Sequence, residues 1–170
     1  KPTFLLEAEQ LKQQLTQKTP LSDYFEQFKN KTFEEFWDLL PNKIKYLDYE
    51  KELTALLPIE KHLWMKKATG LGITEYFLRW IAWKCFNDES LLKDQIDVTV
   101  VVITGPRLEL AIQLIDRLKK LFDYDFETKN TVCFLNGVKI EAFPSHHLAA
   151  ASGLNPKIVF LDEADFFPPG

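Results

Sequence analysis

Lys157-Ile-Val-Phe-Leu-Asp-Glu-Ala164 decides how this chain is read. Ile158 to Leu161 are four apolar residues in a row, the mark of a strand inside a sheet. Asp162 and Glu163 follow at its carboxyl end. In α/β folds ligands bind in the crevice beyond the carboxyl ends of the strands. Two carboxylates delivered there suit a metal and a water. Asp162 can hold Mg²⁺ through water, and Glu163 can orient and deprotonate an attacking water. The plainer alternative is a strand that ends in a solvated acidic turn.

Working outward from this strand, the neighbouring segments repeat the α/β pattern. Asp97-Val-Thr-Val-Val-Val-Ile-Thr104 is a β-branched run, expected for a strand buried on both faces. Pro106 stands where a helix can start, and Leu108, Ala111, Ile112, Ile115, Leu118 and Leu121 form an apolar face after it. Thr131 to Leu135 and Val138 to Phe143 flank Asn136-Gly137, a strong hairpin signal. Further upstream, His62 to Lys66 is a short strand candidate and Gly72 to Phe86 an aromatic-rich helix. The expected fold is therefore α/β. Its mainly parallel sheet is covered on both faces, and a hairpin is inserted before the last strand.

The first part of the chain reads as helices. Phe4 to Gln17 carries Leu5, Ala8, Leu11 and Leu15 at helical spacing. Ser22 is positioned to cap a second helix running to Lys29. Thr32-Phe-Glu-Glu35 fits a capping box, opening a helix that ends before Pro41. Tyr46 to Leu57 reads as a further helix closed by Pro58. The expected organisation is an N-terminal helical segment over 1–45 and the α/β part over 46–170.

Lys67-Ala-Thr-Gly-Leu-Gly-Ile-Thr74 lies between the first strand candidate and its helix. Backbone N–H groups converging at a helix N-terminus, with the helix dipole behind them, bind phosphate. Gly70 and Gly72 allow close wrapping, and Thr74 stands at the hydroxyl position that ligates Mg²⁺. The usual G-x-x-x-x-G-K-[ST] pattern is broken twice, by Lys67 at the first glycine and Ile73 at the lysine. An ammonium rooted at Lys67 can fold back over the phosphates, because the chemistry asks for positive charge there and not for one attachment point. Lys66 is its neighbour and alternative. The plainer reading is a surface turn between a strand and a helix.

The bulk numbers set limits. A chain of 170 residues, 46% hydrophobic with 14 Phe, is enough for about one domain with a sizeable core. A formal net charge of −4 argues against a uniformly basic surface, though not against a local basic groove. No run of about 18 apolar residues marks a membrane span, and no signal-peptide pattern opens the chain. Both ends read as those of an excised piece, stopping after the acidic strand. Cys85 and Cys133 sit in apolar contexts, as buried free thiols of a reducing cytosol do. His146 and His147 lack a third ligand at metal spacing. Phe77, Trp80 and Trp83 are expected in the core. Arg79 and Arg107 are candidate arginine fingers, with solvated positions as the plainer alternative. Arg117, Lys119 and Lys120 suit a helix end by the dipole and form a candidate DNA patch.

Residues 45 to 167 resemble the ATPase domain of the large subunit of viral DNA-packaging terminases. The likeness rests on the Lys67–Thr74 loop, which is similar to the deviant form of some tailed phages with a lysine at the loop entrance. It rests also on Val102-Ile-Thr-Gly-Pro106 before an amphipathic helix, on the hairpin Val132 to Phe143, and on Ser152-Gly-Leu before the acidic strand. Where Ser152-Gly153 stands, the family often has Arg-Gly. The resemblance implies a three-layer P-loop NTPase fold, truncated after the Walker B strand, that binds ATP and Mg²⁺. Lys66, Lys67, Ala68, Thr69, Gly70, Leu71, Gly72, Ile73 and Thr74 would form the nucleotide loop. Lys67 and Glu163 would be catalytic, and Thr74 and Asp162 would hold Mg²⁺. It implies double-stranded DNA as partner, a homo-oligomeric ring in the full-length motor, contact with a portal and a small terminase subunit, and the cytoplasm of an infected or provirus-carrying host cell. The resemblance implies adenine contacts from residues upstream of the first strand, where Tyr46, Tyr49 and the Pro58-Ile59 turn lie, without singling out one of them. Two alternatives stay open: a helicase-like or repair P-loop ATPase, and a catalytically inactive nucleotide-fold assembly module.

Overall fold

The computed structural model describes residues 3, 5–8, 20–57, 73–93, 100–104, 107–144 and 158–161. Its elements are α1 (Leu21–Glu26), α2 (Phe33–Leu39), α3 (Asp48–Leu56), α4 (Ile73–Asn87), α5 (Glu89–Lys93), β1 (Val100–Ile103), α6 (Leu108–Lys119), β2 (Thr128–Lys129), β3 (Val132–Leu135), β4 (Val138–Phe143) and β5 (Ile158–Leu161). Among these helices none is long and apolar enough to cross a membrane. The strand expected at His62–Lys66 and the histidines 146 and 147 lie outside the described residues. So does most of the Phe4–Gln17 helix, of which residues 5–8 are helical.

Local chemistry sets the helix ends. The N-cap of α1 is Pro20, with the proline carbonyl accepting from Tyr24 N–H at 2.9 Å, so Ser22 sits in the first turn and not at the cap. The helix also stops short of Lys29, and the chain turns at Asn30, whose φ is 57°. The capping box at Thr32 is present in full: Glu35 N–H donates to Thr32 Oγ1 at 3.2 Å, and Thr32 N–H donates to Glu35 Oε1 at 3.0 Å. α3 begins at Asp48, two residues later than the pattern suggested; Leu47 before it is extended, and Tyr46 stacks on Trp37 at 4.8 Å. The Glu50 carboxylate closes its N-terminus by accepting from Leu47 N–H at 2.9 Å. α6 opens at Leu108 with Arg107 as N-cap. Its buried stripe is Ala111, Leu114, Ile115 and Leu118; Leu108 and Ile112, expected on that stripe, are exposed.

The five strands form one mixed sheet in the order β2-β3-β4-β1-β5. β1 pairs in parallel with β4 on one side and β5 on the other, in register Val100–Ile140 and Val100–Ile158. β3 and β2 extend the sheet antiparallel beyond β4. The β3–β4 turn is Asn136-Gly137, with φ of 51° and 82°, the left-handed pair of a type I′ turn. The hairpin is more than an insertion, because its second strand belongs to the parallel core. Strand alternation puts Val100, Val102, Cys133, Leu135, Val138, Ile140 and Ala142 on one face, and all are buried in one cluster with α4 and α6. The opposite face is unevenly covered, and Val101 at its centre is buried. On that face Phe134 is 56% and Val159 53% exposed.

The helices of 20–57 share that same core. Phe28 lies 5.5 Å from Phe36 and 5.2 Å from Phe122, and Phe25 lies 5.0 Å from Phe86. No break in packing marks 45/46 among the described residues. The N-terminal helices are one wall of the core, laid against α4 and the segment after α6.

Candidate functional site

α4 carries the described part of the expected site. Its first residue is Ile73, followed by Thr74, and both are buried, Ile73 at 5% exposure. Lys66, Lys67, Ala68, Thr69, Gly70, Leu71 and Gly72 lie outside the described residues, as do Asp162 and Glu163, which follow Leu161 of β5 in the sequence. Among the described residues no group of three or more His, Cys, Asp or Glu could hold a metal. Arg107 is exposed at the N-cap of α6. At the carboxyl end of β1, Thr104 is buried, and its N–H donates to Phe143 O at 2.9 Å.

Arg79 is neither solvated nor turned outward. Its side chain is fully buried. Nη2 donates to Asn42 O at 2.8 Å, and Nε approaches Glu75 Oε1 at 3.3 Å. The guanidinium carbon sits 4.4 Å from the centre of the Trp37 ring, a cation–π contact in a desolvated place. Burial pulls the arginine pKa down while Glu75 opposes this, and a guanidinium stays charged throughout. In this arrangement Arg79 ties α4 to the α2–α3 connection, a poor posture for a finger reaching another subunit.

Glu75, one residue past Thr74, is held from a second side. Arg117 Nη2 on α6 donates to Glu75 Oε2 at 3.4 Å. Lys119 pairs with Asp125 at 2.9 Å and Lys120 with Asp116 at 2.6 Å. The whole basic cluster that suggested a DNA patch is thus matched with carboxylates of the same chain.

No family model matches this sequence, and no curated protein matches it.

Sequence reasoning missed a second polar strip on α4. Tyr76 and Tyr46 both meet Thr54 Oγ1 at 2.6 Å, and Thr54 donates to Glu50 O at 2.8 Å. Threonine has one hydroxyl proton, so both tyrosines must be the donors. Tyr46 is therefore engaged twice, by stacking on Trp37 and by this bond, and is not an open adenine platform. Burial raises the pKa of Tyr46, Tyr76 and Glu50, with the Leu47 N–H bond and, less, Arg79 pulling Glu50 the other way. One available signal was the composition of α4. Ile73, Tyr76, Phe77, Leu78, Trp80, Ile81, Ala82, Trp83, Cys85 and Phe86 surround the axis, leaving no broad polar face for Arg79.

Proposed function

We propose that this chain is the ATPase part of a terminase-like DNA-packaging motor, on a P-loop NTPase scaffold, that hydrolyses ATP to move double-stranded viral DNA. One observation carries the reading most. β5 pairs in parallel with β1, which itself pairs with β4, and the sequence continues from the carboxyl end of β5 into Asp162-Glu163. A parallel sheet gathers ligands at that edge. A second support is that the glycine-bearing loop runs straight into the first turn of a 15-residue helix.

In this reading, Lys67 and the backbone amides of residues 69–74 hold phosphate oxygens. Thr74 and Asp162 hold Mg²⁺, and Glu163 orients and deprotonates water. Bound Mg²⁺ supplies charge neutralisation at the transferring phosphoryl group. The first turn of α4 fits an anion in one respect. Its acidic residue, Glu75, is drawn towards two guanidinium groups, which offset a carboxylate otherwise close to bound phosphate.

The buried Ile73 favours a second reading, a nucleotide fold kept as an assembly module after losing catalysis. Equilibrium binding of a Mg²⁺–ATP analogue separates the two. The motor reading expects saturable binding that Lys67→Ala abolishes and Lys66→Ala leaves nearly intact. It also expects Glu163→Gln to bind nucleotide yet lose hydrolysis, a drop of about 10²-fold or more. Absence of nucleotide binding by the folded wild-type chain removes the motor reading.

A further inference from the structure

We propose that Arg79 and Arg117 form a guanidinium clamp on Glu75 that positions the first turn of α4 and neutralises its carboxylate. This rests on the nucleotide site proposed for that turn. Two guanidinium groups from two helices meet at Glu75. Arg79 approaches Oε1 at 3.3 Å from the same helix, and Arg117 approaches Oε2 at 3.4 Å from α6. Arg79 is in turn anchored by Asn42 O at 2.8 Å and by the Trp37 ring at 4.4 Å.

Two physical points give the clamp its role. A buried arginine is a weak source of stability, since its desolvation offsets much of what its pairing returns. What Arg79 contributes is better sought in what it holds in register. The second point concerns sign. A carboxylate in a first turn favours the helix itself, yet repels a phosphate gripped by the same amides. With each of its oxygens facing a guanidinium, Glu75 keeps its place in the turn while its charge is screened from an incoming anion. Arg79 and Arg117 act through Glu75 and touch no substrate; they are positioning residues.

A thermodynamic cycle tests this, with Arg117→Ala, Glu75→Gln and the double variant. The Arg117 side chain is 46% and that of Glu75 21% exposed, so all three variants are expected to fold. Two quantities are read: affinity for a Mg²⁺–ATP analogue, and amide hydrogen exchange over residues 73–78 without nucleotide. Arg117→Ala is expected to weaken nucleotide about 3- to 10-fold and to speed exchange in that turn. Glu75→Gln should bind as well as wild type or better, and the double variant should return to the Glu75→Gln value. Loss of affinity in Glu75→Gln as large as in Arg117→Ala overturns the charge argument. Faster exchange without any change in affinity reduces the clamp to a structural brace and overturns its positioning role. If wild type binds no nucleotide, the proposed function falls, and exchange alone judges the clamp: unchanged exchange in Arg117→Ala sinks it, and faster exchange upholds its hold on the turn.

Discussion

Ile73→Lys restores the residue type that phosphate loops usually carry before their hydroxyl residue, and the structure expects it to harm the protein. Ile73 is 5% exposed at the start of α4 and belongs to the hydrophobic cluster. Withdrawing an isoleucine side chain from the core forfeits about 1.5–3 kcal/mol. An ammonium left in its place is either desolvated, which depresses its pKa by up to about 3 units or more, or snorkels out along its stem. Each unit of depression is about 1.4 kcal/mol at neutral pH. A cation at a helix N-terminus adds roughly 0.3–1 kcal/mol against it. With snorkelling relieving part of the desolvation, the net loss is about 3–5 kcal/mol. That is a large share of the roughly 5–15 kcal/mol that holds a typical domain folded. Urea unfolding followed by tryptophan fluorescence measures it, with Ile73→Val as calibrator at about 0.5–1.5 kcal/mol. If Ile73→Lys unfolds at the wild-type midpoint and binds nucleotide more tightly, the first turn is open to phosphate and the reasoning from burial is wrong.

Glu50→Gln is expected to be neutral or stabilising at pH 7, because burial raises the Glu50 pKa above 4.5. The folded state then holds that proton more tightly than the unfolded state, so this contribution is greatest at low pH and is lost as pH rises from about 4.5 through the raised folded value. The variant should flatten the stability profile across that window; a loss above about 1 kcal/mol at pH 7 would mean that the Leu47 N–H bond and the attraction to Arg79 together outweigh burial. Gly137→Ala should lower stability by about 1 kcal/mol or more, because Gly137 sits at φ 82° in the hairpin turn, and an unchanged thermal midpoint refutes the turn assignment. Both thiols should resist an aromatic disulfide reagent at pH 8 until urea is added, since each is fully buried and burial pushes the Cys133 thiol up to about 12; one fast-reacting thiol in the native protein contradicts the packing of α4 on β3.

The parts of the fold that local chemistry dictates were legible in the sequence. Thr32 and Glu35 satisfy each other's backbone donors whatever surrounds them, so the capping box could be read directly. Asn136-Gly137 needs two left-handed residues, and few sequences supply them, so the hairpin was equally plain. The β-branched run that contains Val100–Ile103 announced a central strand, and it pairs on both sides. What was not legible is long-range. Nothing in Val138 to Phe143 says that this arm of a hairpin will pair in parallel with β1. The two-residue β2 is too short to leave a periodic trace. The open first turn of α6 exposes Leu108, although the repeat assigned it to the buried stripe.

The candidate site shows the same division, and its case is more instructive. Glycines and adjacent carboxylates are compositional signals, so the loop and the acidic strand end could be named from the sequence. The fate of Arg79 was hidden behind a local signal, because an arginine four residues after a glutamate on a helix ordinarily marks a solvated i,i+4 pair, and the apolar composition of α4 was the weaker cue against it. α4 has almost no solvated face, and the helices of 20–57 occupy the side where that pair would have met water. The solvated position expected for Arg79 assumes that the N-terminal helices leave this side of α4 open to water, and they do not. Once Trp37 and Asn42 are seen closing over Arg79, those helices become the wall that fixes how α4 presents Ile73 and Thr74. Anything that loosens the N-terminal wall must then act on the same turn on which the proposed nucleotide chemistry depends.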